Sequence, residues 1–187
     1  MGHGGDVVAE LTADHDEVKE LFARIEALPV GAKERRLHAD QAVMELVRHS
    51  VAEEMYLYPA VREQLPDGDA IADREIAEHA SAEQVMKDLE GLEADDPEFD
   101  RLLTQLMTEI RAHIREEERS LFPRLRASAS TADLWDLGEK VRMAKKIAPT
   151  RPHPSAPDTP PLNKVLAPGT GMVDRIRDAL TGRGQRA

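Results

Sequence analysis

The sequence predicts an all-α protein: an up-down-up-down antiparallel four-helix bundle with a short fifth helix and a proline-rich C-terminal tail. Three observations lead to this prediction. Ala, Leu, Glu and Arg dominate the 187 residues, and aromatic residues make up only 3% of them, which favours helices over strands. Apolar residues recur at alternating spacings of four and three, as on the inward stripe of a bundle helix. Short loops between long helical segments are typical of antiparallel neighbours.

Four long helices are predicted between Pro- and Gly-containing breakers. Pro29 and Gly31 separate the first two helices, and Pro66 and Gly68 separate the second from the third. The predicted segments are residues 6–28, 33–64, 70–93 and 97–126.

Three prolines have positional meaning within these segments. Pro97 suits the first position of the fourth helix, with Asp96 as its N-cap. Pro59 and Pro123 lie late in the second and fourth helices, and each is expected to kink or end its helix.

A shorter fifth helix is predicted over about residues 131–147, and we assign residues 1–148 to the bundle with this added helix. The remaining residues, 149–187, form a tail of different character. Seven prolines lie between Pro149 and Pro168, and residues 149–161 are predicted to be an extended linker without helix. A short amphipathic segment, 172–180, follows it. Two interpretations of the tail stay open: it lies back on the bundle, or it is a loosely ordered terminus.

Composition excludes several classes of function. A net charge of −11 argues against nucleic acid as a partner, because phosphate binding needs a basic surface. The absence of cysteine excludes disulfides, thiolate metal sites and a nucleophilic cysteine. No apolar run approaches the roughly 18 residues of a membrane span. The N-terminal residues lack the basic and apolar regions of a signal peptide, so we expect a cytoplasmic protein.

The chain repeats one pattern of histidine and glutamate. Three pairs of residues lie 64 positions apart: His15 and His79, His49 and His113, and Glu53 and Glu117. In both halves the glutamate follows the second histidine at i+4, on the same helix face and about 6 Å away at Cβ. Two such halves, brought together, form a cluster of four imidazoles and two carboxylates, which are ligands for a pair of metal ions.

These six residues occupy inward positions of the predicted helices. Ala42, Leu46, His49 and Glu53, for example, follow one stripe of the second helix. Burial of polar groups costs several kcal/mol for each uncompensated group, and metal coordination compensates for it directly. Imidazole and carboxylate ligands without thiolate suit iron or manganese, and zinc less distinctly. The sequence therefore predicts a buried site for two metal ions.

Tyr56 extends the same stripe, seven residues after His49. A phenol there is a hydrogen-bond donor to the site, a redox-active group, a metal ligand or a core aromatic with a satisfied hydroxyl. Tyr58 is predicted to serve in packing. No ligand role is predicted for the histidines outside the repeat: His3, His38 and His153.

The ordered motif set resembles the hemerythrin HHE cation-binding domain over about residues 6–127, and the Ala/Arg/Glu-rich make-up and Pro-rich tail resemble its actinobacterial members. The resemblance implies a four-helix bundle around a non-haem di-iron centre, with two iron ions joined by an oxo or hydroxo bridge. Manganese or zinc are alternatives. It also implies that His15 and His49 serve one ion, that His79 and His113 serve the other, and that Glu53 and Glu117 bridge them.

Two positions depart from oxygen-carrying hemerythrins. Those proteins have a further histidine four residues after the third-helix ligand, where this chain has Glu83, a candidate carboxylate ligand or a solvent-facing group. They also place the last carboxylate five residues after its histidine, which here is Glu118. We assign Glu117 as the bridge and expect Glu54 and Glu118 at the surface or behind the ligands. These departures disfavour simple reversible oxygen carriage.

The implied function is a response to a small ligand: O2, H2O2 or NO. An open metal position would bind such a ligand, and a carboxylate-rich site suits peroxide chemistry, so catalase-like decomposition of H2O2 is one interpretation. A sensor without turnover and an iron-handling or storage protein are the alternatives. Storage matches less well, because ferritin-like bundles use Glu-xx-His at i+3 whereas this chain uses His-xxx-Glu at i+4. No oligomeric state is predicted.

Overall fold

The structure, a computed structural model, describes residues 4–160, 162–181 and 183, and it confirms the all-α prediction. Every regular element in this part of the chain is helical. The α-helices are α1 (Val7–Ala27), α2 (Lys33–Ala52), α3 (Tyr58–Gln64), α4 (Gly68–Leu89), α5 (Pro97–Glu116), α6 (Phe122–Ser128), α7 (Thr131–Ile147) and α8 (Leu162–Thr181). Two π-helical turns interrupt them: the first π-turn (Glu53–Leu57) joins α2 to α3, and the second π-turn (Glu117–Leu121) joins α5 to α6.

Four rods form the bundle: α1, α2 continued by α3, α4, and α5 continued by α6. α1 packs against α2 and α4 against α5, so that consecutive rods lie side by side as antiparallel hairpins. Gly31 (φ 84°) and Gly91 (φ 83°) lie in the connections within these hairpins, in a left-handed conformation that other residues rarely adopt. Asp6 and Asp96 cap α1 and α5, because each side chain accepts a hydrogen bond of 2.8 Å from a backbone N–H in the first turn.

Two apolar clusters fill the bundle, one on each side of a polar layer. On α1, Leu11 belongs to one cluster and Val18 to the other, and His15 lies between them. His49 on α2 and His79 on α4 separate the two clusters in the same way. On the fourth rod the change of cluster falls between Ile114, next to His113, and Leu121. The hydrophobic effect therefore holds the bundle together above and below a layer that is itself polar.

The second and fourth rods continue past Pro59 and Pro123 instead of ending there. In the first π-turn the N–H of Tyr58 bonds to the carbonyl oxygen of Glu53, the i to i−5 pattern of a π-helix, and the second π-turn repeats this bond. Each π-turn holds one extra residue, so the residues after it are rotated relative to a regular α-helix. The predicted kink or end at proline is thus a change of helical register.

The fifth helix, α7, covers the side of the bundle formed by α1 and α2. Gly138 permits the close approach, because a Cβ atom there would lie 2.7 Å from the carbonyl oxygen of Gly5. Lys145 reaches inward from α7, donates to Glu10 over 3.1 Å and also donates to Asp14. α7 is thereby fixed to α1 by apolar packing and by a buried cluster of charges.

The tail returns to the bundle. Residues 149–160 are not helical, as predicted, but α8 begins at Leu162 and is longer than the predicted segment 172–180. Pro168 lies inside α8, where its ring removes one backbone hydrogen bond. Arg151 pairs over 3.4 Å with Glu90, the residue that follows the end of α4. None of the described helices has the length and apolar character that crossing a membrane requires.

Candidate metal centre

The six residues of the repeat meet in the polar layer between the two apolar clusters. Each histidine comes from a different rod, and the two glutamates are the first residues of the two π-turns. The imidazoles are 2–7% exposed and both carboxylates are 0% exposed. The members of this central cluster are His15, His49, His79, His113, Glu53 and Glu117.

The Nε2 atoms of the imidazoles face the two carboxylates. Glu53 Oε2 lies 3.1 Å from His49 Nε2 and 3.4 Å from His79 Nε2. Glu117 Oε2 lies 3.3 Å from His15 Nε2 and 3.6 Å from His113 Nε2. Each carboxylate therefore stands between one histidine from each half of the chain.

Two groups of ligand atoms in this cluster are close enough to hold one cation each. The first group contains His15 and His49 of the first half and both glutamates. Each of these four residues contributes one ligand atom, and the four atoms lie within 4.8 Å of one another. A second group joins Glu53 to His79 and His113. Ring centroids within each histidine pair are 4.9 Å apart in both halves. Glu53 belongs to both groups.

A carboxylate stands behind every one of the four imidazoles, at Nδ1. Two of these contacts join His49 to Asp14 (3.2 Å) and His113 to Glu78 (3.0 Å). The other two join His15 to Glu118 and His79 to Glu54, at 3.0 Å each. These outer carboxylates turn each Nε2 inward, the orientation that metal-binding imidazoles adopt in proteins.

The outer carboxylates follow the repeat as well. Asp14 and Glu78 lie 64 positions apart and precede the first histidine of their halves by one residue, and Glu54 and Glu118 lie 64 positions apart too. The prediction that Glu54 and Glu118 lie at the surface or behind the ligands agrees with these contacts. Asp14 and Glu78 were not singled out from the sequence, although the same offset marks them.

Four buried polar atoms of the central cluster make no hydrogen bond: His15 Nε2, Glu53 Oε1 and both oxygens of Glu117. Buried polar atoms without partners are rare and costly. A cation would satisfy them, and imidazole with carboxylate is a donor set for iron, manganese or zinc. The residues present therefore fit a pair of metal ions.

The protonation of the central cluster shows the same need for positive charge. Burial and the nearby charge of Glu117 raise the pKa of Glu53. Burial opposes ionisation of Glu117, but His113 and the other imidazoles outweigh it and lower the pKa of Glu117 to about 2. The pKa of His49 rises to about 10 despite burial, because Glu53 and a second carboxylate face it. The pKa of His113 is also raised despite burial, chiefly by the charge of Glu117, whereas burial lowers the pKa of His79. Without a metal ion, protons on His49 and His113 partly neutralise the acids, and metal binding would displace them.

Comparisons with known proteins agree with this geometry. The family model of the hemerythrin HHE cation binding domain matches residues 6–125. The chain is 32% identical, over 142 residues, to an uncharacterized hemerythrin-like protein of Schizosaccharomyces pombe, covering 75% of this chain and 70% of that protein. The chain belongs to the hemerythrin HHE family.

Two further similarities accompany this assignment. The crystal structure of a hemerythrin HHE cation binding domain-containing protein from Mycobacterium kansasii superposes with a TM-score of 0.65 at 25% identity, over 76% of this chain and 86% of that one. A DNA nickase of Nostoc is 27% identical over 133 residues, which span 71% of this chain but only 37% of the nickase. The bundle is thus a hemerythrin HHE domain.

Two residues predicted as less certain ligands stand apart from this HHE cluster. Neither Glu83 nor Tyr56 belongs to the groups of described residues close enough to share a cation. Glu83 Oε1 instead accepts a hydrogen bond of 2.8 Å from the backbone N–H of His153, so the tail occupies it. Tyr56 is half-buried, and the ammonium of Lys164 lies 4.5 Å from its ring centroid. The first π-turn rotates Tyr56 away from the stripe that a regular helix would give it.

Tyr58 takes the place that the sequence suggested for Tyr56. Its hydroxyl oxygen lies 3.0 Å from His79 Nε2 and 3.4 Å from Glu53 Oε2, and the side chain is completely buried. Burial raises the pKa of Tyr58 well above its usual value, so the phenol stays protonated. The equivalent residue of the other half is Phe122, which stacks on His15 at 5.6 Å. The prediction that Tyr58 serves in packing alone is incomplete, because one half of the centre has a phenol and the other has a phenyl ring.

Glu75, like Asp14 and Glu78, was not singled out from the sequence. It is completely buried on α4, and its Oε2 lies 3.2 Å from His113 Nδ1. Glu75, His113 and Glu117 form a third group close enough to hold a cation. The equivalent residue in the first half is Leu11. Glu75 precedes His79 by four residues, so it lies on the same inward stripe of the helix. This spacing could have identified it from the sequence.

The histidines outside the repeat lie away from the centre where the structure describes them. His38 Nδ1 lies 3.3 Å from the side-chain oxygen of Gln41. His153 Nε2 lies 2.9 Å from Asp174 Oδ2 within the tail. His3 lies outside the described residues.

Proposed function

We propose that this HHE domain is a non-haem di-iron protein that binds or turns over a small ligand, O2, H2O2 or NO, in the centre of the bundle. One observation carries the proposal. Two imidazole pairs face two fully buried carboxylates, and one imidazole nitrogen and three carboxylate oxygens of this cluster make no hydrogen bond. Packing alone gives no reason to bury so many unsatisfied groups.

The residues divide into two metal positions. His15 and His49 would hold one iron ion and His79 and His113 the other, with Glu53 and Glu117 shared between them. Iron bound there supplies Lewis acidity and one-electron redox chemistry. Manganese or zinc could occupy the same donor set, because the ligand types do not distinguish them sharply.

The size of the central cavity supports a small ligand. A cavity of about 10 Å³ touches all four imidazoles, which is about the space for one water-sized molecule. Its remaining wall includes Val18, Leu46, Ile110 and Ile114, whose apolar side chains exclude bulk water. Larger organic substrates do not fit a space of this size.

Tyr58 favours peroxide turnover over simple binding. Its O–H stays protonated and lies within 3.4 Å of both Glu53 and His79, so it is placed to donate a hydrogen bond or a proton beside the second metal position.

A ligand sensor without turnover is the second candidate function. The tail reaches α4 one helical turn after His79, where the backbone of His153 donates to Glu83. A shift of His79 on ligand binding would therefore alter the contact between Glu83 and the tail. Oxygen evolution from H2O2 would distinguish the enzyme from the sensor.

The test is metal content together with the absorption spectrum of protein purified without added metal. We expect about two irons per chain and near-ultraviolet bands of a bridged ferric pair. His49→Ala should lose metal and melt at lower temperature, because it leaves buried carboxylates without their cation. The matched control is His38→Ala, which changes a partly buried histidine of the same helix outside the centre. Full metal content and stability in His49→Ala would contradict the proposed ligands.

A further inference from the structure

The two halves of the repeat differ in what covers their outer faces. Three positions on the first half are buried under α7, with exposures of 0–4%, whereas the equivalent side chains of the second half are 44–50% exposed. These pairs are Glu10 and Arg74, Asp14 and Glu78, and Ala52 and Glu116. α7 therefore seals one side of the centre, and no described helix does so on the other.

An open groove lies on the uncovered side, between α4 and α5. It has a volume of about 550 Å³, and His79 and His113 form part of its wall. The same two imidazoles also line the central cavity, together with His15 and His49. His79, His113 and Ile110 line both spaces, so a wall one side chain thick separates the centre from this α4–α5 groove.

The charges of the α4–α5 groove are mostly negative. Glu78, Glu109 and Glu116 line it, and Arg74 is the cation that lines it. Arg74 is partly neutralised, because it pairs with Glu75 over 2.7 Å and with Glu116 over 3.6 Å. A negative rim repels anions and leaves uncharged molecules unaffected.

We propose that the α4–α5 groove is the port through which reactants reach the centre, and that its acidic rim selects small uncharged reactants over anions. This inference rests on the proposed function and names its substrate class. O2, NO and H2O2 are uncharged at neutral pH, whereas azide, superoxide and carboxylates are anions. Since α7 closes the first half, the metal position at His79 and His113 meets the reactant first.

Small residues keep the groove open. Ser81 and Ala82 of α4 and Ala112 of α5 line it, whereas the residue equivalent to Ala112 in the first half is Arg48. A large side chain at position 112 would fill the groove without touching the central cluster. Ala112→Trp is therefore the obstructing variant, and Ser81→Trp obstructs the opposite wall should Ala112→Trp fail to fold. Arg48→Trp is the matched control, because it adds the same ring at the equivalent place on the closed side.

Stopped-flow binding of NO to the ferrous protein and of azide to the ferric protein measures the port directly. In Ala112→Trp we expect association and dissociation of both probes to slow by about tenfold or more, because a port changes rates. The equilibrium dissociation constants should stay unchanged, since the obstruction does not touch the bound ligand. Arg48→Trp should keep the rates of the unchanged protein.

Charge reversal tests the selectivity. Glu109→Lys should accelerate azide association about threefold or more at low ionic strength, with loss of the effect at high salt, and should leave NO association unchanged. Glu45→Lys makes the same charge change at the equivalent position of the first half and should alter neither rate. If both variants accelerate azide association equally, the effect comes from the net charge of the protein, and the proposed selectivity of the groove is wrong.

The possible failures are distinguishable. Absence of bound metal from the unchanged protein would refute the proposed function itself. If the protein binds its full complement of metal, two outcomes would refute the port alone. In one, Ala112→Trp and Arg48→Trp both keep the association rates of the unchanged protein, and in the other both are slowed equally.

Discussion

Each imidazole of the central cluster has one nitrogen turned to the centre and the other held by an outer carboxylate. Glu118 holds His15 in this way over 3.0 Å, and it also accepts from Lys19 over 2.8 Å. Such partners fix the ring orientation and the tautomer of a metal-binding histidine, and their removal weakens metal binding in other proteins. The outer carboxylates are therefore expected to act on the metal through the imidazoles.

Glu118→Ala should lower metal affinity by about 10- to 100-fold, because His15 loses the acceptor that orients it. Competition with a chelator of known affinity measures the change. Glu20→Ala removes an exposed glutamate of α1 and is the control. Unchanged affinity in Glu118→Ala would mean that packing against Phe122 alone positions His15.

Tyr58→Phe removes a buried hydroxyl and keeps the ring. The other half already has Phe122 at the equivalent position, so the ring should fit, and the free energy of unfolding should change by only about 1 kcal/mol. We expect full metal content and slower peroxide turnover, as measured by metal analysis and oxygen evolution. Loss of metal would instead show that the phenol is a ligand.

At the scale of the helices, the two π-turns decide which side chains reach the centre. Regular α-helical spacing places Tyr56 on the stripe of His49, but the extra residue of the first π-turn brings Tyr58 inward instead. π-helical turns are often found at functional sites for this reason. Both π-turns begin at a glutamate of the central cluster, so the departure from α-helix coincides with the metal positions.

α7 depends on Lys145, which is buried against Glu10 and Asp14. Burial lowers the pKa of Lys145, but the two carboxylates outweigh it and the pKa is raised. Burial raises the pKa of Asp14, but His49 and Lys145 outweigh it and the pKa is lowered. The stabilisation therefore falls when pH rises through the raised lysine pKa, and also when pH falls through the lowered aspartate pKa. Between the usual pKa values of aspartate and lysine, 3.8 and 10.5, it is constant.

Lys145→Met should lower the free energy of unfolding by about 3 kcal/mol at neutral pH, because it leaves buried carboxylates without their partner. Thermal unfolding measured across the pH range should show the largest loss of stability at the pH values where the stability of the unchanged protein does not depend on pH. Lys140→Met is the control on the outer face of α7, where Lys140 pairs with Asp136, and it should change the melting temperature little. Equal effects of the two substitutions would mean that the charge cluster contributes nothing beyond the surface pair.

For the molecule as a whole, Asp174 of α8 holds the tail together. Its Oδ2 accepts from the backbone N–H groups of Thr150 and Arg151 over 3.2 and 3.1 Å, and His153 Nε2 lies 2.9 Å away. Burial raises the pKa of Asp174, but the hydrogen bond and charge of His153 and the backbone donors outweigh it, so the pKa is lowered. The stabilisation of the tail is thus present above the unfolded pKa of aspartate and is lost as pH falls through the lowered value.

Asp174→Ala should release α8 from residues 150–153 and make it more accessible to protease. We expect trypsin to cleave after Arg175 and Arg177 several-fold faster, with unchanged metal content, because the tail lies outside the central cluster. Asp158→Ala changes an exposed aspartate of the same tail. Trypsin should cleave this variant at the same rate as the unchanged protein. If cleavage is equally fast in both variants, the contacts of Asp174 do not hold the tail.

The sequence by itself determined the four-helix bundle and its central histidines and glutamates. A repeat of 64 positions places them in register, and the helical period of apolar residues turns them inward. These features follow from local periodicity, which the sequence carries directly. The same offset relates Asp14 to Glu78, but their place behind the imidazoles was seen only in the structure.

The two halves of the centre have different surroundings, and this difference is visible only in the tertiary structure. The π-turns exchange Tyr58 for Tyr56, the tail engages Glu83, and α7 covers one half but leaves the other open. None of these follows from periodicity, because each depends on a local change of helical register or on contacts between segments distant in the chain. Those contacts break the symmetry that the repeat establishes.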